Sequence, residues 1–389
     1  MPVRASKSID LRVLAATDPV AAEIGRQLNS TRGVNRDGDP LTLRRDEFAL
    51  NPPLRPVLQR LDQAFFGAAV SPVPFVEPAV LRASAFSPVA RGGIAMPGVL
   101  FVSASGRQTS FVGRGDTGEL LRGTAQGSGP FSPPTRERII ATGVTGATIR
   151  GKDYLYTVEP DGKGNGSLRR RQVLPNGLGR VEQIKVSPPI PFMHWPQLTS
   201  LADGRVVLAT VVPGQKPFLA ISDDGGRNFK VTTSPAHSPV DSMTLAHVAG
   251  FRDGALVVTT QVGDSTGQVQ AFVRTSADGI TFSAPVKVTT TSSNVHDAFP
   301  VPRADGDVDL YYLKASGDGF AAFRRSFTRQ GQLGPEQQLT GSDLGSVEKP
   351  QARRLPDGSV RLILAKRNRA DDFDVLSAVL PGDAPKPGR

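Results

Sequence analysis

Cysteine is absent from this sequence of 389 residues. That absence excludes disulfide bonds, thiolate chemistry and cysteine-ligated zinc. Histidine and tryptophan are scarce, with four histidines and a single tryptophan, Trp195. A site that needs an imidazole must therefore draw on a very small set: His194, His237, His247 and His296.

Long hydrophobic runs are also missing. No stretch approaches the roughly 18 consecutive apolar residues of a membrane-spanning helix, so the sequence predicts no membrane span. The N-terminal residues carry charges without a sustained apolar segment and do not form a recognisable signal peptide. Two expectations follow from this start: a protein that stays inside the cell, or a trimmed form of a longer chain.

Positive charge exceeds negative charge, with 46 Lys and Arg against 36 Asp and Glu, a net charge of +10. A basic balance favours acidic partners such as anionic glycans, nucleic acid or a membrane surface. However, no basic run is longer than Arg169-Arg170-Arg171, which is typical of an ordinary solvated surface. No specific nucleic-acid-binding motif accompanies the charge.

Glycine and proline are abundant, at 41 and 33 residues, and argue against an all-helical fold. Four Asp-Gly pairs stand between apolar and β-branched runs at a nearly constant spacing, which is typical of repeated supersecondary units. Asp-Gly favours a tight β-hairpin, because glycine accepts a positive φ and aspartate tolerates one. The pairs are Asp203-Gly204, Asp253-Gly254, Asp305-Gly306 and Asp357-Gly358.

The same period extends backwards to Gly151 and Gly98. A repeat of about 50 residues is typical of one propeller blade. The sequence therefore predicts an all-β fold, a six-bladed β-propeller with four-stranded antiparallel blades over residues 71–380. The last blade lacks one strand, and we expect residues around 75–86 to supply it. Residues 381–389 are predicted to be a disordered tail.

Residues 1–70 have a different pattern, which predicts a small helical N-terminal extension. Asp18-Pro19 and Asn51-Pro52 are typical helix starts. Oxygen-bearing side chains between them occupy positions 1, 3, 5 and 12 of an EF-hand-like loop, but Pro40 stands where that loop needs glycine. A polar interhelical loop is therefore favoured over a Ca²⁺ site, and we expect no other cofactor. The four residues are Asn35, Asp37, Asp39 and Asp46.

Two segments between predicted strands share a serine, an aspartate two positions later, a glycine and a final aromatic residue. They span 222–229, SDDGGRNF, and 276–282, SADGITF. Both resemble the Asp-box of sialidases, Ser/Thr-x-Asp-x-Gly-x-Thr-Trp/Phe, although the first has Asn228 for threonine and the second is one residue short. With the repeat period, they make residues 80–380 similar to the sialidase-like (BNR/Asp-box repeat) six-bladed β-propeller superfamily.

The resemblance implies a glycan-binding or glycan-hydrolysing propeller, in which the Asp-box residues are structural. It favours an extracellular or periplasmic location and a carbohydrate or other acidic ligand, and we expect a monomer. Sialidases use three arginines, a tyrosine nucleophile activated by a glutamate, and an aspartate acid/base. Their Phe/Tyr-Arg-Ile-Pro motif is absent, and all four tyrosines fall on predicted second strands. Candidate arginines for gripping a carboxylate are Arg91, Arg150 and Arg353.

A propeller builds its site at the mouth of the central channel, where the innermost strands start. Alignment on the Asp-Gly pairs places Asp297 and Glu348 at neighbouring strand starts, and they are the best available pair of catalytic carboxylates for a glycosidase. The same alignment nominates a set of substrate-binding side chains. These are His194, Trp195, His247, His296 and Lys349. Arg353, one of the candidate carboxylate-gripping arginines, is added to the predicted substrate-binding residues.

Three hypotheses for function remain open. The first is a sialidase-like propeller that binds or hydrolyses glycans at the channel mouth. The second is a non-catalytic interaction scaffold for a protein or an acidic polymer. The third is a metal-dependent hydrolase or lyase that uses His194, His247 and His296. Fold alone does not choose among them.

Overall fold

The computed structural model describes residues 9–10, 42–43, 80–91, 94–114, 117–160, 166–190, 193–211, 218–233, 246–263, 268–289, 294–317, 319–368 and 373–382. The chain divides into two units, Met1–Glu77 and Pro78–Arg389. In the first unit, Ile9–Asp10 (β1) and Thr42–Leu43 (β2) pair antiparallel. The helices and calcium-like loop predicted within 1–70, and most of the predicted tail, lie outside the described residues.

The second unit consists of six sheets, each of which is one blade of a β-propeller. One strand, Ser87–Ala90 (β3), precedes the first blade and belongs to the last. Blade 1 contains Ile94–Val102 (β4), Arg107–Arg114 (β5), Glu119–Gln126 (β6) and Thr135–Ile140 (β7). Blade 2 contains Gly143–Ile149 (β8), Lys152–Pro160 (β9), Gly166–Leu174 (β10) and Gly177–Gln183 (β11).

Blade 3 has a fifth strand, Lys185–Ser187 (β12), which pairs in parallel with its outermost strand. Its other strands are His194–Ser200 (β13), Val206–Val211 (β14), Phe218–Ser222 (β15) and Asn228–Thr233 (β16). Blade 4 contains Ala246–Gly250 (β17), Leu256–Gly263 (β18), Val269–Ser276 (β19) and Val286–Lys287 (β20). Blade 5 contains Val295–Pro302 (β21), Val308–Ser316 (β22), Gly319–Phe327 (β23) and Gln337–Gln338 (β24). Blade 6 contains Val347–Arg354 (β25), Val360–Arg367 (β26), Phe373–Leu380 (β27) and β3.

The predicted all-β class and six-bladed architecture are thus confirmed. Within the part of the chain that the structure describes there is no α-helix, only single 3₁₀ turns at Ala83–Ala85 and Ser342–Leu344. No helix of this part is long and apolar enough to cross a membrane.

The innermost strands β4, β8, β13, β17, β21 and β25 stand side by side in a ring, with β25 next to β4. Six buried apolar clusters fill the spaces between neighbouring blades, one cluster for each space. Strands such as β14 and β18 are buried on both faces, since each sheet is covered by a blade on either side. The continuous valine and leucine runs after each Asp-Gly pair reflect this double burial.

The hairpin prediction holds for five of the six glycines and is wrong for Gly98. Gly151, Gly204, Gly254, Gly306 and Gly358 have φ values from +75° to +94° in the turns between first and second strands. The first blade instead turns at Gly106, whose N–H donates to the carbonyl of Ser103 at 2.9 Å. Gly98 lies inside β4, where a Cβ would come within 2.7 Å of the Phe111 carbonyl oxygen. Glycine is needed there for close approach of β5, a reason that spacing alone does not distinguish from a turn.

The prediction that an N-terminal strand closes the ring is confirmed. That strand, β3, begins at Ser87, just after the predicted residues 75–86. β3 pairs antiparallel with β27, with Pro88 opposite Leu376 and Ala90 opposite Val375. Leu81 bridges to Thr340 at the outer edge of blade 5 before the chain reaches blade 6. Residues 80–90 therefore cover the outer edges of two blades.

The two serine–aspartate turns connect third and fourth strands, as expected. Asp224 accepts hydrogen bonds from the Ser222 hydroxyl at 2.7 Å and from the backbone N–H of Asn228 at 3.0 Å. Asp278 accepts from the backbone N–H groups of Thr281 and Ile280, both at 2.8 Å, which lowers its pKa to about 2. Both turns lie at the hairpin end of the blades, opposite the starts of the inner strands.

A buried ionic cluster joins blades 5 and 6. Asp309, at 0 % exposure, is contacted by Arg303 at 3.1 Å, Arg324 at 3.2 Å and Arg354 at 3.1 Å. Two of these arginines belong to blade 5 and the third to blade 6. One carboxylate thus holds three guanidinium groups together near the hairpin end.

Replacement of Asp309 by asparagine should destabilise the protein by about 3 to 5 kcal/mol, because removing one partner leaves buried charges uncompensated. Denaturant unfolding measures the change. The control is Asp253→Asn, which breaks only the exposed pair with Arg329 and should cost less than about 1 kcal/mol. Equal effects of the two substitutions would contradict a structural role for the cluster.

Deletion of residues 1–90 should lower the melting temperature, because it removes β3 and exposes the edge of β27. Deletion of residues 1–60 should have a milder effect, since it leaves residues 80–90 in place. Thermal melts of the two truncations and the full chain test the closure. Identical melting temperatures for all three would show that β3 does not hold the ring closed.

Candidate functional site

Three inner strands begin with the same backbone irregularity. The pairing register shifts between His194 and Gln197 in β13, between His296 and Phe299 in β21, and between Glu348 and Gln351 in β25. Each shift is a bulge that holds a non-glycine residue at positive φ. These residues are Trp195 at +45°, Asp297 at +51° and Lys349 at +52°.

Such conformations are unfavourable for residues with a Cβ and are concentrated at functional sites, and bulges often re-aim a side chain there. The three residues are those that the Asp-Gly alignment places nine positions before a hairpin glycine. Their blades therefore present equivalent side chains at one end of the channel. We call this end the mouth.

Asp297 is held by contacts from both neighbouring blades. Its backbone N–H donates to Oε1 of Gln261 in blade 4 at 2.9 Å, and Nε2 of Gln261 lies 3.5 Å from Oδ1 of Asp297. On the other side, the backbone N–H of Lys349 in blade 6 donates to the Asp297 carboxyl group. The bulge and the carboxyl group are thus positioned together.

Burial raises the pKa of Asp297 to about 6. The positive charge of Lys349 and its N–H group oppose this shift, whereas the negative charge of Glu348 adds to it. Desolvation outweighs the favourable contacts because a buried carboxylate loses its hydration. Asp297 can therefore hold or release a proton near neutral pH.

Glu348 and Lys349 lie beside Asp297 at the start of β25. Glu348 forms an ion pair with Arg367 at 3.0 Å. The Lys349 ammonium lies 5.0 Å from the centre of the Phe373 ring, and the Arg367 guanidinium lies 5.5 Å from the same centre. Burial lowers the pKa of Lys349, against the opposing effect of Glu348 and Asp297. The mouth thus combines two carboxyl groups with two cations.

His296 precedes Asp297 and is partly buried. Its ring meets Phe320 edge-on at 4.9 Å, and burial lowers its pKa against the opposing charge of Glu348. The indole of Trp195 is 38 % exposed, a large apolar surface at the mouth. The structure therefore brings Trp195, His296, Asp297, Glu348 and Lys349 to the same end of the ring.

The remaining predicted site residues are placed differently. His247 is buried at 6 % exposure, with its ring 5.2 Å from Phe299, and neither ring nitrogen has a hydrogen-bond partner among the residues that the structure describes. Burial lowers its pKa to about 3. Arg353 lies near the opposite end of β25. The side chain of His194 and the whole of His237 lie outside the described residues.

Gln261 was not predicted from the sequence. It lies on the second strand of blade 4, opposite Ala271, whereas the Asp-Gly alignment selects only positions on first strands. The sequence feature that could have indicated Gln261 as a site residue is its position at the mouth end of that strand. Within the described ranges, no group of three or more His, Asp or Glu side chains is arranged to hold a metal ion.

The Asp297→Asn variant should be more stable than the natural protein above pH 6, by up to about 3 kcal/mol, and equally stable near pH 4. The folded protein binds a proton at Asp297 more tightly than the unfolded chain does. Stability is therefore lost as pH rises from about 4 to about 6, and a neutral amide avoids this loss. Melting temperatures across this range measure the difference.

The matched control is Asp357→Asn at the hairpin end. Hydrogen bonds from Ser359 lower the pKa of Asp357, so this substitution should give no stabilisation at high pH. If the Asp297→Asn variant is only as stable as the natural protein at pH 8, the inference that desolvation raises the pKa of Asp297 is wrong.

Comparison with known proteins gives matches in structure only. No family model matches the chain, and no curated protein matches it. A protein of unknown function from Dyadobacter fermentans DSM 18053 matches with a TM-score of 0.64 and 16 % identity, over 79 % of this chain and 100 % of that chain.

Two sialidases also match. The NanB sialidase from Streptococcus pneumoniae has a TM-score of 0.55 and 11 % identity, over 78 % of this chain and 70 % of that chain. The Hadza microbial sialidase Hz136 has a TM-score of 0.55 and 14 % identity, over 76 % and 68 %. At these identities the likeness is one of fold. The chain is a six-bladed β-propeller that is similar in fold to these solved structures.

Proposed function

We propose that the mouth binds glycans and hydrolyses a glycosidic bond, with Asp297 as the general acid and Glu348 as the second carboxylate. The observation that carries the proposal is the setting of Asp297. It is a partly buried carboxyl group on a left-handed bulge, braced by Gln261 and by the N–H of Lys349. Most glycosidases need one protonated and one ionised carboxyl group at the scissile bond.

The two carboxyl groups have different environments, as hydrolysis by a general acid and a charged second carboxylate requires. Burial favours the protonated form of Asp297, so that it can donate a proton to the leaving oxygen. Glu348 is instead paired with Arg367, which suits an ionised group that activates water or stabilises positive charge on the sugar. One carboxyl group in a desolvating environment beside a second one in an ion pair is an arrangement suited to an acid and a charged partner.

The other mouth residues suit a sugar ligand. The exposed face of Trp195 provides a surface on which a sugar ring can stack. Lys349 and His296 can bind hydroxyl or carboxylate oxygens. Two solved structures of this fold are sialidases, and we also interpret the serine–aspartate turns as Asp-boxes of the sialidase-like type.

A tyrosine nucleophile is not part of the proposal. All four tyrosines lie on second strands, β9 and β22, and three of them, Tyr156, Tyr311 and Tyr312, are at 0 % exposure. Tyr154 is half-buried beneath the guanidinium of Arg170 at 4.6 Å. The proposed reaction therefore relies on carboxyl groups alone.

The test is a screen of the full chain with fluorogenic glycosides, namely sialosides, uronides and neutral sugars, together with a glycan array. For a substrate that is cleaved, Asp297→Asn and Glu348→Gln should each lower kcat/KM by about 100-fold or more. Asp357→Asn, with the same substitution at the opposite end of the ring, should leave kcat/KM within about two-fold. Full activity in both mouth variants would refute the proposal. Array binding without cleavage of any glycoside would reduce the function to glycan binding.

The pH dependence gives a second test. A general acid acts in its protonated form, so kcat/KM should fall as pH rises through about 6, the pKa of Asp297. The residual activity of Asp297→Asn should lack this fall. A natural enzyme whose kcat/KM stays constant from pH 5 to pH 8 would be inconsistent with Asp297 as the acid.

A further inference from the structure

The central channel contains a small polar cavity between the inner strands. Its volume is about 20 Å³, enough for a water molecule or a small ion, and all six inner strands contribute to its wall. The polar part of the wall consists of Thr145, Gln197, Gln351 and Arg353, and Phe299 forms an apolar part.

Arg353 is only partly satisfied by the protein. Its Nε donates to the carbonyl oxygen of Leu100 in blade 1 at 3.2 Å, and its guanidinium carbon lies 5.9 Å from the centre of the Phe299 ring. The terminal N–H groups of the guanidinium make no hydrogen bond to any residue in the described part of the chain. Arg353 is one of the residues that line the cavity.

The charge of Arg353 is poorly compensated. Burial lowers its pKa, and the carboxyl group that opposes this shift, Asp153 in blade 2, is not within ion-pair distance. Asp153 accepts a hydrogen bond from Thr148 at 2.6 Å, and burial raises its pKa in spite of Arg353. A guanidinium remains protonated at any physiological pH, so a partly buried positive charge persists in the channel.

A second donor group faces the same cavity. Gln197, from blade 3, is 9 % exposed, and its amide has no hydrogen-bond partner among the described residues. Gln351 already donates to the carbonyl of Gly98. A water molecule in the cavity would satisfy N–H donors but would leave the charge of Arg353 uncompensated. A small anion would do both.

We propose that the central channel binds a monovalent anion of about chloride size, held by the guanidinium of Arg353 and the amide of Gln197. The ion links blade 6 to blade 3 across the axis and stabilises the closed ring. It is independent of the glycan chemistry proposed at the mouth, because Arg353 lies toward the hairpin end of its strand.

Thermal melting of the full chain tests the proposal with sodium chloride, sodium bromide and sodium gluconate at equal ionic strength. Gluconate is too large for the cavity and controls for screening. The melting temperature of the natural protein should rise by several degrees and saturate as chloride or bromide increases from about 1 mM to about 200 mM. Arg353→Gln should lose this rise, whereas Arg329→Gln, an exposed arginine paired with Asp253, should keep it.

A second variant keeps the test decisive if Arg353→Gln does not fold. Gln197→Leu removes the amide but retains the cation, and it should weaken the chloride midpoint several-fold. The broadening of the ³⁵Cl resonance by the natural protein, reduced in the same variants, reports binding directly. Equal melting curves in chloride and gluconate, or full chloride dependence in either channel variant, would overturn the proposal.

Discussion

The structure depends on the mutual covering of its blades. Each sheet has two apolar faces, and a face left open would expose strands such as β14 or β18 to water. Six sheets can cover twelve faces only if the ring closes. The pairing of β3 with β27 completes blade 6, and Val89 and Ala90 of β3 belong to the apolar cluster between blades 6 and 1. Arg361 of blade 6 reinforces the junction by donating to the carbonyls of Gly127 and Gly129 in blade 1, at 2.9 Å and 2.8 Å.

The candidate site follows from the same closure. Equivalent strand starts converge only because the blades are arranged around an axis, and the bulges then turn Trp195, Asp297 and Lys349 away from regular strand geometry. Asp297 also takes its support from blades 4 and 6, through Gln261 and Lys349. A site assembled across blades in this way is preorganised by the interblade contacts, not by its own strand.

Sequence and structure agree where the signal is local. Asp-Gly hairpins fix a period, and the period alone brings Asp297 and Lys349 into alignment. The hairpin prediction at Gly98 was wrong because glycine is found both in tight turns and at close contacts between strands. Only the pairing register of β4 with β5 shows which of these applies. The burial of His247, the depth of Arg353 and the contact from Gln261 depend on which side of each strand faces a neighbour. A bulge changes which face of the sheet the following side chains occupy, and the spacing of the repeats does not reveal where the bulges are.

Two titratable groups near the inner strands act on stability in opposite directions. The pKa of Asp297 is raised to about 6, so this group makes the fold less stable as pH rises from about 4 to about 6. The pKa of His247 is lowered to about 3, so this group makes the fold less stable as pH falls below its ordinary value of 6.5. Each contributes about 1.4 kcal/mol per pH unit within its window, with opposite sign. Between about pH 4 and pH 6 the two contributions have opposite signs, so His247 offsets part of the loss of stability that Asp297 causes as pH rises.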